Sequence, residues 1–167
     1  MACNVCVDPG HGTLSAALNE AASNSIIHLG EGSYIEHAPI EVTRAGITIR
    51  GVRGNSEGGG QLSKVISRGG DDTRAIICIL AESFDMEDVA VSCERVDDPA
   101  IKDSGRAAYK ECNLHRCIEI SGSRPRRGCS GIRIKGCAVA CCGGIGIEIG
   151  GDSAPSIENC TVSGSSW

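Results

Sequence analysis

The densest chemistry in the sequence is acidic. Asp71, Asp72, Glu82, Asp85, Glu87 and Asp88 crowd one short stretch, with Arg74 among them. Grouped carboxylates are the ligands of Ca²⁺, which takes roughly six to eight oxygens, and an arginine beside them can take a proton from an acidic sugar or stabilise its enolate. Read as a site, Asp71, Asp72, Arg74, Asp85 and Asp88 would serve a polysaccharide lyase. Read as a surface, the same residues are an acidic turn facing water, and runs of one charge sign usually are that. The later set of Glu94, Asp97, Asp98 and Asp103 with Lys102 and Arg106 divides the same way.

Thiols and imidazoles offer a second chemistry. Cys3-x-x-Cys6 followed by His11 has ligand types that suit tetrahedral Zn²⁺, but a second Cys-x-x-Cys is missing and a structural site wants four ligands. A frayed strand explains the pair as well. Of the adjacent Cys141 and Cys142, only one side chain can face inward on a strand, so Cys142 is a candidate reactive or interface thiol. His28, His37 and His115 have no nucleophile at a telling spacing, and Gly58-Gly59-Gly60 lacks the Lys-Ser/Thr ending of a phosphate loop.

Repetition dominates the elements that would carry these residues. Thr13 is a candidate N-cap, and apolar Leu14, Ala17, Leu18 and Ala21 share one face of a helix expected over 13–23. Short β-rich runs bounded by turn residues follow: Ser25–Leu29, Gly30–Tyr34, Pro39–Val42 and Gly46–Gly51. Beyond them, segments starting at Met86, Tyr109, Ile134 and Ile157 share the pattern apolar-x-x-(Cys or Val)-x-apolar, with a fainter copy at Leu62. A period near ~24 residues with two or three short strands per turn describes a coil whose equivalent strands pair in parallel. Ile77-Cys78-Ile79, Ile118-Glu119-Ile120 and Ile147-Glu148-Ile149 supply a further strand before three of the copies.

On this alignment Cys112, Cys137 and Cys160 occupy the position that Val89 holds, so the thiols are packing groups in a ladder. Cys93, Cys117 and the Cys141-Cys142 pair would form a second column. The whole of 1–167 reads as one β-helix domain, with a cap over 1–24, coils over 25–164 and a tail at 165–167.

Composition narrows the function classes. Of 167 residues, 41% are hydrophobic but only 2% aromatic, and Gly numbers 23 against 5 Pro, which favours thin aliphatic layers joined by tight turns. The net charge of −5 argues against a nucleic-acid footprint, and Arg124, Arg126 and Arg127 read as a solvated loop. No apolar run approaches the ~18 residues of a membrane span. Eleven cysteines, an odd number, fit a reducing compartment, so the expected setting is soluble and intracellular, with organelle import if a leader was removed.

Gly32-Ser33-Tyr34-Ile35-Glu36 resembles the G-x-Y-x-E element near the start of pectin-lyase-like right-handed parallel β-helix proteins. The preceding helix, the Ser25–Leu29 strand and Gly46–Gly51 fall in the order of that superfamily. Gly144 to Gly151 followed by Ala154 to Cys160 resembles its carbohydrate-binding and sugar-hydrolysis repeats, including those of certain F-box and adaptor proteins. The resemblance implies a capping helix and a coil, and it covers lyases, hydrolases, esterases and non-catalytic scaffolds alike. The Gln-Asp and Asp-Phe-Ile-Phe-Gly segments of pectin methylesterases are absent, as is the Asn-Thr-Asp element of polygalacturonases. Gly10-His11-Gly12 matches the Gly-His-Gly of polygalacturonases as a tripeptide, but ahead of the helix.

Two functions follow as expectations. The first is a non-catalytic scaffold or interaction module without a cofactor, a subunit whose exposed coil end, with Trp167 and Cys142 as interface residues, meets other protein subunits. The alternative is a protein that binds or cleaves acidic glycans on a flat face of the coil, with Ca²⁺ bridging the like charges.

Overall fold

The computed structural model describes residues 3–36, 39–54, 62–68, 75–94, 116–121, 129–140 and 145–164. Its chain winds as a right-handed parallel β-helix of three sheets, each built from one short strand per coil. All pairings are parallel, and the right hand is the one that twisted strands impose on such connections. Each strand is short because one face alternates into a shared core while turn residues close every corner.

Coil 1 holds β1 (Asn4–Val7), β2 (Gly10–His11) and helix α1 (Thr13–Glu20); coil 2 holds β3 (Ile26–Leu29), β4 (Gly32–Glu36) and β5 (Ile40–Val42). Coil 3 holds β6 (Thr48–Arg50), β7 (Ser63–Arg68) and β8 (Ala75–Ile79), and coil 4 holds β9 (Asp85–Glu87), β10 (Val89–Glu94) and β11 (Arg116–Ile120). Coil 5 holds β12 (Arg133–Lys135), β13 (Ala138–Ala140) and β14 (Ile145–Ile149), and coil 6 holds β15 (Ser156–Glu158) and β16 (Thr161–Ser163). Sheet A stacks β1-β3-β6-β9-β12-β15, sheet B stacks β2-β4-β7-β10-β13-β16, and sheet C stacks β5-β8-β11-β14.

The core is a set of aliphatic ladders. Ile27, Ile49, Met86 and Ile134 form the inward row of sheet A, and Tyr34, Val65, Val91 and Val139 that of sheet B. Sheet C contributes Ile40, Ile77 and Ile118 in register, with Val42, Ile79 and Ile120 beside them. All are buried.

Helix α1 stands where sheet C would have its first strand, and it packs on β1, β4 and β5 with Leu14 and Leu18 buried. Eight residues are too few to hold a helix in water, so its ends are fixed from coil 2. At the N-terminus the buried Glu36 carboxylate accepts hydrogen bonds from the Leu14 amide at 3.1 Å and from the Ser15 hydroxyl. At the C-terminus Arg44 donates to the carbonyls of Leu18, Asn19 and Ala21. An anion at the positive end and a cation at the negative end match the helix dipole, although the helix has no acidic residue in its first turn and no basic one in its last. Tyr34 donates to the carbonyls of Val7 at 2.7 Å and Gly30 at 3.2 Å, tying coil 2 to coil 1. The Gly-x-Tyr-x-Glu element is thereby a cap-docking device.

Four expectations change. Residues 4–11 are already coil, not cap, because β1 and β2 pair with β3 and β4. The helix ends at Glu20, with Ala21 extended, and its N-cap is Gly12; the Thr13 hydroxyl is buried without a hydrogen-bond partner among the described residues. Met86 pairs directly with Ile134, so one coil of uneven length separates them, while Tyr109 to Leu114 lie outside the described residues. The Leu62 copy aligns one sheet away: Ser63 pairs with Val89 in sheet B, and Met86 pairs with Ile49.

Candidate functional site: a charged ladder on the outer face of sheet A

In a strand, residues on either side of an inward one point outward, so each three-residue strand of sheet A presents two outward positions. Parallel register stacks these into two rows at about 4.8 Å per coil. One row runs Asn4, Ile26, Thr48, Asp85, Arg133, Ser156, and the other Cys6, His28, Arg50, Glu87, Lys135, Glu158.

Charges meet across coils. Arg133 is bidentate on Asp85, Nε to Oδ1 at 3.3 Å and Nη2 to Oδ2 at 3.0 Å, and Nη2 also reaches Glu87 Oε1 at 3.1 Å. Arg50 Nε donates to Glu87 Oε2 at 3.0 Å from the other side. The hydrogen bond and charge of Asp85, with Glu87 and Glu158 adding to them, raise the Arg133 pKa further above its ordinary value, so the guanidinium is cationic at every accessible pH. The Arg50 and Arg133 side chains are 46% and 42% exposed, so the network is open to a ligand. Lys135 is exposed and makes no ion pair among the described residues. At the far end Ser156 Oγ donates to Glu158 Oε1 at 2.8 Å.

Of the acidic residues read from sequence, the structure brings Asp85 and Glu87 together on this face. Asp88 takes φ 54° at the corner after β9, turns off the face, and lies 3.9 Å from Arg53. Glu82 is exposed in the preceding turn, while Asp71, Asp72 and Arg74 lie outside the described residues, as do Asp97, Asp98, Lys102, Asp103 and Arg106. For Glu94 only the backbone is described. Asp85 and Glu87 are occupied by guanidinium groups, and no three His, Cys, Asp or Glu side chains gather as a metal site among the described residues.

The Cys3, Cys6, His11 set is not assembled either. Cys6 lies on sheet A and His11 on sheet B, and the neighbour of Cys6 in register is His28, whose Nε2 lies 3.4 Å from Asn4 Oδ1. The second cysteine column dissolves likewise, with Cys93 in sheet B and Cys117 in sheet C. Cys112, Cys141, Cys142, His37, His115, Arg124, Arg126, Arg127, Gly58 to Gly60 and Trp167 are outside the described residues.

A second cluster escaped sequence reading. On sheet C, Glu41, Cys78, Glu119 and Glu148 stand in one row, and Arg116 pairs with both Glu119, at 3.2 Å, and Glu148. Ser121 Oγ donates to Glu119 Oε1 at 3.0 Å. The signal was in the x of each Ile-x-Ile or Ile-x-Val triplet, since the inward isoleucines force the middle residue outward.

No helix among the described residues is long and apolar enough to cross a membrane. No family model matches the chain, and no curated protein does. Among solved structures it is similar to a pectin methylesterase determined in complex with hexasaccharide VII, at 16% identity and a TM-score of 0.45, over 89% of this chain and 48% of that one. The chain thus spans about half the length of that protein.

Proposed function

We propose that the chain is a carbohydrate-binding β-helix that holds an extended acidic glycan along the outer face of sheet A. The observation behind this reading is the half-exposed row Arg50, Glu87, Lys135, Glu158, flanked by Asp85 and Arg133. A sugar hydroxyl both donates and accepts, so a row that alternates cationic donors with carboxylate acceptors offers it a two-sided partner from coil to coil. The Lys135 ammonium, which makes no ion pair among the described residues, gives a sugar carboxylate its charge-assisted contact. Among the described residues no aromatic side chain stands in the outward rows of sheet A, so hydrogen bonds carry the affinity, and we expect a Kd on the order of 0.1–1 mM.

Calorimetric or NMR titration with an oligogalacturonide, and in parallel a neutral gluco-oligosaccharide, tests the reading. Lys135→Ala should weaken the acidic ligand about tenfold, as loss of a hydrogen bond to a charged group does, and leave the neutral one nearly unchanged. Arg133→Ala should weaken both. Absence of saturable binding, or binding indifferent to both substitutions, overturns it.

A further inference from the structure

The charges on the outer face of sheet A come in a fixed order along the axis. Arg50 stands in coil 3, Asp85 and Glu87 in coil 4, Arg133 and Lys135 in coil 5, and Glu158 in coil 6. These cations and carboxylates cancel, so the row as a whole does not attract a polyanion. What it offers is position. The two cationic coils are separated by one acidic coil, hence by two rises of about 4.8 Å each. One rise is close to the advance of one sugar in an extended glycan, so the cationic positions lie two sugars apart.

The acidic coil between them is held in place. Glu87, whose side chain is only 18% exposed, accepts from Arg50 at 3.0 Å and from Arg133 at 3.1 Å, and both Asp85 oxygens face Arg133. Neither carboxylate swings aside without breaking an ion pair of the row. Their remaining lone pairs accept from hydroxyl groups, but an ionised ligand carboxylate has no proton to give them.

We infer that the ligand of this face is a glycan with a uronic acid at every second sugar and a neutral, hydroxyl-bearing sugar between, and that Glu87 sets this preference. The inference rests on the reading of sheet A as a glycan site and narrows it. Ligand carboxylates would lie over Arg50 in coil 3 and over Arg133 and Lys135 in coil 5, with the neutral sugar donating to Asp85 and Glu87 in coil 4. A glycan with a uronate on every sugar sets one carboxylate against that acidic coil, or twists to turn it into water at a cost in conformational freedom. A repeat of uronate and neutral sugar has no such charge to hide.

The test is a calorimetric titration of the full chain with two hexasaccharides: unsulfated hyaluronan, which carries a carboxylate on alternate sugars, and hexagalacturonate, which carries one on each. The alternating ligand should bind about three- to fivefold more tightly, near the upper end of what one exposed charge pair contributes. Glu87→Gln keeps the shape of the side chain and an acceptor for a guanidinium, and should close most of that gap by strengthening hexagalacturonate. Equal affinities, tighter hexagalacturonate, or a gap that Glu87→Gln leaves untouched would each overturn the inference while the glycan site stands. Saturable binding of neither ligand removes both.

Discussion

Cys137 stands one coil above Val89 at the corner leading into sheet B, and Cys160 one coil above Cys137. Its thiol faces the carbonyls of Met86 at 3.7 Å and Lys135 at 3.4 Å, and Cys160 repeats the arrangement with Ile134 at 3.5 Å and Glu158 at 3.3 Å. These are weak sulfur contacts, so packing volume dominates and Cys137→Val should move the Tm by no more than a few degrees. The pH response should separate the two proteins. Burial pushes the Cys137 thiol from 9.0 up to about 12. Below the ordinary value both folded and unfolded chains carry the neutral thiol and its contribution is complete. As pH rises from about 9 toward 12 only the unfolded chain ionises, and stability falls by up to a few kcal/mol, at about 1.36 kcal/mol per pKa unit. Chemical denaturation at pH 8 and pH 10.5 should show Cys137→Val losing less than the parent. Tyr34, raised mainly by burial, acts in the same direction at higher pH in both.

The neighbouring corner is governed by backbone rather than volume. Asp88, Gly136 and Asn159 occupy it in successive coils with φ of 54°, 64° and 52°. Only Gly, Asn and Asp enter that region readily, and a Cβ on Gly136 would strike the Asp88 carboxylate. Gly136→Ala should therefore destabilise by about 1–3 kcal/mol in urea titration, with little change in the m-value.

At the scale of elements, helix α1 exists because coil 2 holds both its ends. Glu36→Ala removes the acceptor for the Leu14 amide and the Ser15 hydroxyl, and should destabilise by about 1–2 kcal/mol, the range for a lost N-cap. Hydrogen exchange should quicken in 13–20 before it does in β7 or β10. The helix was legible from its apolar spacing, and the strands from their alternation. Glu36 was visible as a motif letter but not as a cap, because a contact over 22 residues leaves no local trace. Even spacing does not set the ladder, since sheet membership follows backbone pairing, and Met86 pairs directly with Ile134. The site was half legible for the same reason. Asp85 and Glu87 announced themselves as an acidic run, but Arg50 lies 37 residues before Glu87 and Arg133 lies 48 after Asp85. Only the parallel register makes them neighbours.

For the molecule as a whole, a solenoid is stabilised by each coil's contact with its neighbours, so stability need not be uniform along the axis. Helix α1 packs on coils 1 and 2, and in coils 2 to 5 the sheet A ladder residues Ile27, Ile49, Met86 and Ile134 are almost fully buried. In coil 6 the equivalent Ile157 is 40% exposed, and among the described residues its strand pairs with β12 alone. Truncating a buried ladder residue leaves a cavity between two coils, whereas truncating an end residue removes a side chain already half in water. Ile134→Ala should destabilise by about 2–5 kcal/mol and Ile157→Ala by less than about 1 kcal/mol, although the two residues are paired in one ladder. Opening should then begin at the C-terminal coil and travel inward, with amides of β15 and β16 exchanging first and those of β6, β7 and β9 last. Uniform protection from coil 2 to coil 6 would mean that the coil is one cooperative block, and equal losses from the two substitutions would mean that the C-terminal end is covered in solution.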